Sequence, residues 1–266
     1  MSVAAILGLL YSLLPPGKPS ATFTPLKTDF LIGHAGGGLE VGTYSNSLEA
    51  MTLSAKNGLR YIEVDLLQVR NGDWVLIHDW GKTHSRYFSA FPRFPAQLKL
   101  RQLIVPESAA AFKAKAMRYD LTPLTLDDLI IWMRANPDIA IITDIKGPNL
   151  EGLKAIKEAL QGQVSQIIPQ IYTADEYEPV RVIGFERIIF TAYRSSMSAP
   201  DILEFARDTE LFAVTVPHVG LAEDSQAWLA AMPVPVLTHT VNDAERAADL
   251  MEWGVSGFYT DYLIPN

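Results

Sequence analysis

YIEVD, at residues 61–65, and VLIHD, at residues 75–79, are the two segments that decide the fold of this chain. The first is typical of a buried parallel strand with two acids at its end. Residues two apart in a strand point to the same side, so Glu63 and Asp65 are expected to present both carboxylates to one face. Two like charges this close stay ionised together only if a cation lies between them. The pattern therefore predicts a cation site at the end of a strand.

A tight turn connects these two segments. The dipeptide Asn71-Gly72 is a strong signal for a hairpin turn. The chain is therefore expected to fold back and bring His78 close to Glu63 and Asp65. Carboxylates together with a histidine favour a metal site with an acid or base beside it. For this stretch alone, a surface hairpin with scattered polar residues is the alternative interpretation.

Composition excludes several classes of protein. A chain of 266 residues, 48% hydrophobic and 20% charged, is typical of one large folded domain with a sizeable core. With 22 basic and 30 acidic residues the net charge is −8, and we expect no nucleic-acid partner because such partners normally need a basic face. The sequence has no cysteine, which excludes disulfides, thiolate metal sites and cysteine nucleophiles.

The N-terminal segment is unusual. Residues 2–14 are almost wholly apolar and end at Pro15-Pro16. This run is shorter than the roughly 20 residues of a membrane span, but it has the length of a signal peptide's apolar region. We predict that residues 1–24 are an export signal or membrane anchor with a linker, which allows membrane association, and that residues 25–266 form the barrel domain. An outer helix on a cytoplasmic protein is the alternative.

Beyond the linker, strand patterns alternate with helical ones. The eight predicted core strands lie at residues 30–34, 61–65, 139–144, 166–172, 187–190, 211–216, 234–238 and 257–260. Helical crossovers between most of them imply a parallel sheet, and eight units predict a single α/β domain with the (β/α)8 TIM-barrel fold. An open doubly wound sheet is the alternative, although no glycine-rich dinucleotide fingerprint follows the first strand.

One stretch breaks this alternation. Residues 82–121 are the least patterned part of the chain, with an Ala/Lys-rich helix expected at residues 108–117. We predict an insertion over one face of the barrel, after the second strand and its hairpin. His84, inside this insertion, is expected to be exposed.

Acids and histidines collect at strand ends. His34, Glu63, Asp65 and Asp144 all fall at the C-terminal ends of predicted strands. In a barrel this face carries the active site, whereas the opposite face carries stability. Packing alone does not easily explain so many polar residues at one end. The sequence therefore predicts an active site there.

Several motifs occur in a fixed order from about residue 32 to residue 261. They are His34-Ala35-Gly36, Asn46-Ser47, Ile62-Glu63-Val64-Asp65, Asn71-Gly72 with His78-Asp79, Asp144-Ile145-Lys146, Thr240-Val241-Asn242 and Thr260-Asp261. Together they resemble the glycerophosphodiester phosphodiesterase family, within the wider group of barrel phosphodiesterases that act on phospholipid head groups. Each motif alone is weak, and their order carries the resemblance.

The resemblance implies a role for each matching residue. Glu63, Asp65 and Asp144 would be ligands of one divalent cation, Ca²⁺ or Mg²⁺. Oxygen ligands suit these hard ions, and Asp144 still supplies oxygen although the family more often has glutamate there. His34 and His78 would be the general acid/base pair.

Further positions bear on the substrate. The resemblance implies Lys146 as a phosphate contact and His239 as a substrate-pocket residue in place of the usual tryptophan. Ala35 stands where the family has an arginine, so one guanidinium contact to the phosphate is missing, and Ser45 replaces a glutamate. Arg194, which follows a predicted strand, is a candidate source of the missing charge. A solvated surface arginine is the alternative.

Three functions are compatible with this pattern. The leading one is a metal-dependent phosphodiesterase that cleaves glycerophosphodiesters or related phospholipid head-group diesters by His/His acid–base catalysis. The second is a phospholipase acting on lysophospholipids or sphingolipids with a cyclic phosphate product, favoured by the apolar N-terminus and by aromatic residues of the insertion such as Phe91 and Phe94. The third is a non-catalytic binding protein on the same barrel.

Overall fold

The computed structural model describes residues 22–28, 30–88 and 105–266. The strands of this part are β1 (Thr24–Leu26), β2 (Leu31–Gly33), β3 (Tyr61–Gln68), β4 (Trp74–Leu76), β5 (Ala140–Ile145), β6 (Ile167–Ile171), β7 (Ile189–Thr191), β8 (Ala213–Pro217), β9 (Val236–His239), β10 (Gly257–Thr260) and β11 (Leu263–Pro265). Eight of them, β2, β3 and β5 to β10, pair in parallel in a continuous ring. The ring is closed because β2 pairs with both β3 and β10. The predicted (β/α)8 barrel is confirmed.

Two strand pairs lie outside the ring. β4 runs antiparallel to the end of β3, so the hairpin predicted from Asn71-Gly72 is present, with Gly72 at a φ of 93° that favours glycine. β1 pairs in parallel with β11, which joins the start of the described chain to its end.

Helices connect most of the strands and cover the barrel. Within the described residues they are α1 (Leu48–Lys56), α2 (Lys82–Tyr87), α3 (Ala109–Lys113), α4 (Leu126–Ala135), α5 (Asn149–Ala159), α6 (Tyr177–Ile183), α7 (Ala199–Asp208), α8 (Gln226–Ala231) and α9 (Ala244–Glu252). Local caps explain several starts. Thr125 and Asp128 form a capping box at α4, and Ser198 and Asp201 form another at α7. These caps satisfy backbone donors that a helix start leaves free.

The insertion is built differently from its prediction at one point. The helix expected at residues 108–117 is only α3, because Met117 leaves the helix to form a strand-like bridge with Phe88. Phe88, Phe112 and Met117 pack with Tyr87 and Leu121 in a small core beside the β3–β4 hairpin. The described part of the insertion therefore has its own apolar contact with the barrel.

The interior of the barrel changes character along its length. Its N-terminal end is filled by an apolar cluster that includes Ile32, Ile142 and Ile168, and the rings of Phe30 and Phe212 pack together near them. Because inward side chains recur every second residue, the next inward positions are the polar ones at the C-terminal ends of the strands. The barrel interior is therefore filled by apolar side chains at its N-terminal end and lined with polar side chains at its C-terminal end.

Some predictions fall outside this description. Residues 1–21, Phe91 and Phe94 lie outside the described residues, so the export signal or anchor, the boundary at residue 24 and the aromatic contribution of these two side chains stay predictions. Among the helices of the described ranges, none combines the length and the apolar run that crossing a bilayer requires.

A buried glycine tests the contact between helix and barrel. A Cβ at Gly152 of α5 would lie 2.7 Å from Ile145 Cδ1 and 3.1 Å from the Trp74 ring. Gly152→Leu is therefore expected to lower the free energy of unfolding by about 1–3 kcal/mol, because the added side chain overpacks this contact. Urea unfolding measures the change. Gly147→Leu is the matched control, since a Cβ at Gly147 meets nothing within 4 Å. Equal losses in both variants would contradict the tight contact.

Candidate active site

Three buried carboxylates form the centre of the polar end. Asp65 and Asp144 are direct register partners on the adjacent strands β3 and β5, and Glu63 lies two residues before Asp65 on the same face of β3. One carboxylate oxygen of each lies within 4.8 Å of the others. The sheet register therefore brings together the three acids that the sequence predicted as metal ligands.

Backbone and amide donors fix two of these acids. The Ala35 N–H donates to Glu63 Oε2 at 2.6 Å from the turn that follows β2. Ala35 has a φ of 49°, a left-handed conformation that costs an alanine roughly 1–2 kcal/mol. Asn46 holds Asp65 twice: its side-chain amide donates to Asp65 Oδ2 at 2.8 Å, and the Asp65 N–H donates back to Asn46 Oδ1 at 2.9 Å. The acids therefore have defined orientations.

The electrostatics of this cluster demand a cation. Burial, followed by the charges of Asp65 and Asp144, raises the pKa of Glu63 well above its usual value. Lys146 meets part of this demand, because its Nζ lies 2.9 Å from Asp65 Oδ1 and also pairs with Asp144 Oδ2. Its side chain is only 19% exposed. The structure thus places Lys146 against the acids, and its predicted contact with a phosphate stays a prediction.

The same cluster could hold a metal ion. All three side chains offer carboxylate oxygens, the ligands that Ca²⁺ and Mg²⁺ prefer. Burial and the charges of Asp65 and Asp144 raise the pKa of Glu63, and a divalent ion held by the three acids would favour its ionised form.

His34 is held by an aspartate from the end of the barrel. Its Nδ1 lies 3.0 Å from Asp261 Oδ1, and both groups are buried. Asn242 fixes Asp261 in turn, donating its amide to Asp261 Oδ2 at 2.8 Å and accepting the Asp261 N–H at 2.6 Å. A carboxylate only accepts hydrogen bonds, so Nδ1 carries the proton and the other ring nitrogen of His34 is left for chemistry.

His78 has the same kind of support from its neighbour in sequence. Its Nδ1 lies 3.1 Å from Asp79 Oδ2. Partial burial acts to raise the pKa of Asp79, but hydrogen bonds from His78, Thr83 and the Gly81 N–H outweigh it and lower the pKa far below its usual value. Asp79 therefore stays ionised and orients the His78 ring.

Tyr44 lies between the two histidines. Its ring contacts His34 edge-to-face at 4.4 Å between centroids and His78 in the same manner at 5.1 Å. Burial, with the charges of Asp261 and Asp65, raises the pKa of Tyr44, so its hydroxyl keeps its proton. Tyr44 thereby separates the two predicted acid/base groups while packing on both.

His239 lines the same mouth, next to His34. The two imidazole centroids are 4.6 Å apart, and Tyr193 and Tyr259 lie 5.7 Å and 5.1 Å from the His239 ring. Burial, followed by the neighbouring His34, lowers the pKa of His239 to about 3. The imidazole is therefore neutral near pH 7 and acts as an uncharged wall, consistent with a substrate-pocket position.

Tyr172 and Arg194 both lie beside Asp144. The Tyr172 hydroxyl donates to Asp144 Oδ1 at 2.5 Å, and Arg194 Nη1 lies 3.6 Å from the same oxygen. The guanidinium carbon of Arg194 lies 4.4 Å from the centre of the Tyr172 ring, a cation–π contact. The sequence left two alternatives for Arg194, a charge at the site or a solvated surface arginine. The structure places its guanidinium beside Asp144.

Several functional contacts lacked a sequence prediction. Asn242 and Asp261 stand in two of the motifs that carried the resemblance, and Asp261 directly follows the predicted strand at residues 257–260, so a usable signal was present. Tyr172 ends the predicted strand at residues 166–172, which was a usable signal, whereas Tyr44 gave none, because only the folded chain brings it to the two histidines. The prediction that His84 is exposed was wrong: it is 3% exposed and stacks on Phe88 in the small core of the insertion.

Comparison with known proteins supports the fold. No protein-family model and no curated protein sequence matches this chain. A glycerophosphodiester phosphodiesterase from Thermotoga maritima has 18% identity and a TM-score of 0.65, over 88% of this chain and 94% of that one. A phosphodiesterase from Oleispira antarctica, solved with the product sn-glycerol-3-phosphate, has 17% identity and a TM-score of 0.65, over 88% and 93%. A glycerophosphoryl diester phosphodiesterase from Parabacteroides distasonis has 12% identity and a TM-score of 0.65, over 96% and 88%.

The likeness extends over nearly the whole length of each chain. At these identities it shows the fold, and it confirms the resemblance in fold that the motifs predicted. The roles of the individual site residues stay predictions.

Replacement of Lys146, the cationic side chain beside the three carboxylates, tests the electrostatics of these acids. In a chelating buffer, Lys146→Met is expected to lower the free energy of unfolding by about 3–5 kcal/mol, because it leaves buried carboxylates without their partner. Millimolar Ca²⁺ or Mg²⁺ should recover part of this loss. Denaturant unfolding with and without the metal measures both effects.

Lys154→Met, at an exposed position of α5, is the matched control and should change stability by less than about 0.5 kcal/mol. A Lys146→Met variant as stable as the wild type in chelator would contradict the demand for a cation.

Proposed function

We propose that this chain is a metal-dependent phosphodiesterase that cleaves glycerophosphodiesters or related phospholipid head-group diesters. The observation that carries the proposal is the pairing of two aspartate-held histidines with a cluster of three buried carboxylates at one barrel mouth. The fold shared with phosphodiesterases, one of them bound to sn-glycerol-3-phosphate, supports the same conclusion.

Glu63, Asp65 and Asp144 would hold one divalent cation, Ca²⁺ or Mg²⁺. Such an ion supplies positive charge for a phosphate oxygen when it is bound. As ligands of that ion, the three carboxylates would be committed to it. The proton transfers therefore fall to the histidines.

His34 and His78 would perform the acid–base steps. Each has its Nδ1 committed to an aspartate, which leaves the second ring nitrogen free to exchange a proton with the substrate. A neutral imidazole takes a proton from the attacking hydroxyl, and a protonated one donates to the departing alcohol. Tyr44, in contact with both rings, would keep them apart and aligned.

Loss of either histidine is the direct test. His34→Gln and His78→Gln are each expected to lower kcat by about 10²- to 10⁴-fold on glycerophosphocholine, because one proton transfer loses its partner. Phosphorus NMR of the full-length protein with Ca²⁺ or Mg²⁺ follows the release of phosphomonoester or cyclic phosphate. Calorimetry should show metal affinity close to that of the wild type.

The controls separate the competing functions. Lys154→Met, at an exposed position of α5 away from the strand ends, should retain wild-type turnover. Full activity in His34→Gln or His78→Gln would reject the acid–base assignment. A wild-type protein that binds metal but does not turn over glycerophosphocholine would point to a different diester substrate, whereas one that neither binds metal nor turns it over would favour the non-catalytic binding protein.

An apolar cleft favours phospholipase activity as a second candidate. A cavity of about 340 Å³ adjoins His78 and Lys146, and Leu67, Trp80 and Val105 contribute apolar walls. An acyl or alkyl group attached to the diester would bury apolar surface there, which favours binding by about 25 cal/mol per Å². A glycerol group offers much less apolar surface to this cleft.

A series of substrates tests this second candidate. If the cleft takes an acyl chain, kcat/KM for lysophosphatidylcholine should exceed that for glycerophosphocholine by at least tenfold and rise with chain length from six to twelve carbons. Product analysis by phosphorus NMR, at concentrations below micelle formation, measures both. Equal values for all chain lengths would remove the lipid proposal and leave the soluble diesters.

A further inference from the structure

Arg194 is placed at the acids by the barrel itself. It ends the 3-10 turn Ala192–Arg194 directly after β7, so it lies at the same C-terminal face as the carboxylates. Its guanidinium stacks on Tyr172, whose hydroxyl donates to Asp144. These contacts hold the charge at the rim of the site without enclosing it, since the Arg194 side chain is 44% exposed.

The hydrogen-bonding capacity of Arg194 is largely unused. A guanidinium has five N–H donors, and within the described residues its polar partner is Asp144 Oδ1 at 3.6 Å, which is longer than a hydrogen bond. Tyr172 occupies one face of the group and takes no donor. Most of its donors therefore remain available to an anion at the mouth of the barrel.

The other cation at the acids is already engaged. Of the described cationic side chains that pair with the three acids, Lys146 contacts both Asp65 and Asp144 and is largely buried, whereas Arg194 contacts Asp144 alone from the rim. The guanidinium is therefore the more accessible of these two cations to a phosphodiester from solvent. Ala35, in the turn after β2, has no charged side chain, and its N–H is already bonded to Glu63.

We propose that Arg194 binds the phosphate group of the substrate and is a catalytic residue of this chain. This inference rests on the proposed phosphodiesterase function and adds a phosphate-binding residue that neither the acids nor the histidines supply. The planar guanidinium donates to non-bridging phosphate oxygens in a forked geometry. It also stabilises negative charge that builds on those oxygens in the transition state.

The test compares four full-length proteins: the wild type, Arg194→Gln, Arg194→Lys and the control Arg134→Gln. Arg134 is exposed in the last turn of α4, and the C-terminal ends of the helices lie at the barrel face opposite the acids. Three quantities are measured with Ca²⁺ or Mg²⁺ present: affinity for inorganic phosphate, kcat/KM for glycerophosphocholine, and metal affinity by calorimetry. Thermal unfolding checks that every variant is folded.

Arg194→Gln is expected to lower phosphate affinity and kcat/KM by roughly ten- to hundredfold, the usual effect of a lost charged hydrogen bond. Arg194→Lys should recover part of both, because it keeps the charge but loses the fork. Metal affinity should stay within twofold in both variants. Arg134→Gln should match the wild type throughout.

Other outcomes overturn the proposal in distinguishable ways. Wild-type phosphate affinity and kcat/KM in Arg194→Gln would reject it while leaving the phosphodiesterase function intact. A parallel loss of metal affinity would show that Arg194 only positions Asp144. A wild type that binds no phosphate would also reject it. Arginine-dependent phosphate binding without diester turnover would instead reject the proposed function and keep the anion-binding role of Arg194.

Discussion

The burial of three carboxylates at one end of the barrel is the constraint on which the rest of this site depends. Glu63, Asp65 and Asp144 are brought together by strand register, and little solvent screens their repulsion. Hydrogen-bond donors and one positive charge stabilise these acids. The Ala35 N–H donates to Glu63, and the Asn46 amide donates to Asp65. The Lys146 ammonium pairs with Asp65 and Asp144. The opposite end of the barrel is packed with apolar side chains, so charge is concentrated at the end that holds these three acids.

The histidines follow from the same architecture. A histidine beside anionic groups is useful as an acid or base only if its tautomer and orientation are fixed. Asp261 and Asp79 do this from opposite parts of the chain, one after β10 and one after the β3–β4 hairpin. The Tyr44 ring then packs against both His34 and His78. Both histidines face the same barrel mouth, with this ring between them.

Much of this could be predicted from the sequence, because the decisive signals are local. Alternation of strand and helix patterns predicted the barrel, and the spacing of Glu63 and Asp65 within one strand predicted a shared face. Contacts between distant segments were beyond such reasoning. Nothing near residue 44 in the sequence indicates that a tyrosine there packs on His78. The length of the helix at residues 108–117 was overestimated because Met117 forms a bridge with Phe88. These are tertiary effects that override local propensity.

In a closed barrel, a charged side chain can come from any of several loops and still reach the site. All eight strand ends converge on one mouth, so the loop after β7 reaches the acids as directly as the loop after β2 does. Ala35 uses its backbone there, as a donor to Glu63, and its methyl group can carry no charge. Arg194 approaches from the other side of the acids, beside Asp144, and stacking on Tyr172 limits the freedom that a long side chain loses when it binds. What the geometry requires is a cation at the mouth, and several strand ends can provide it.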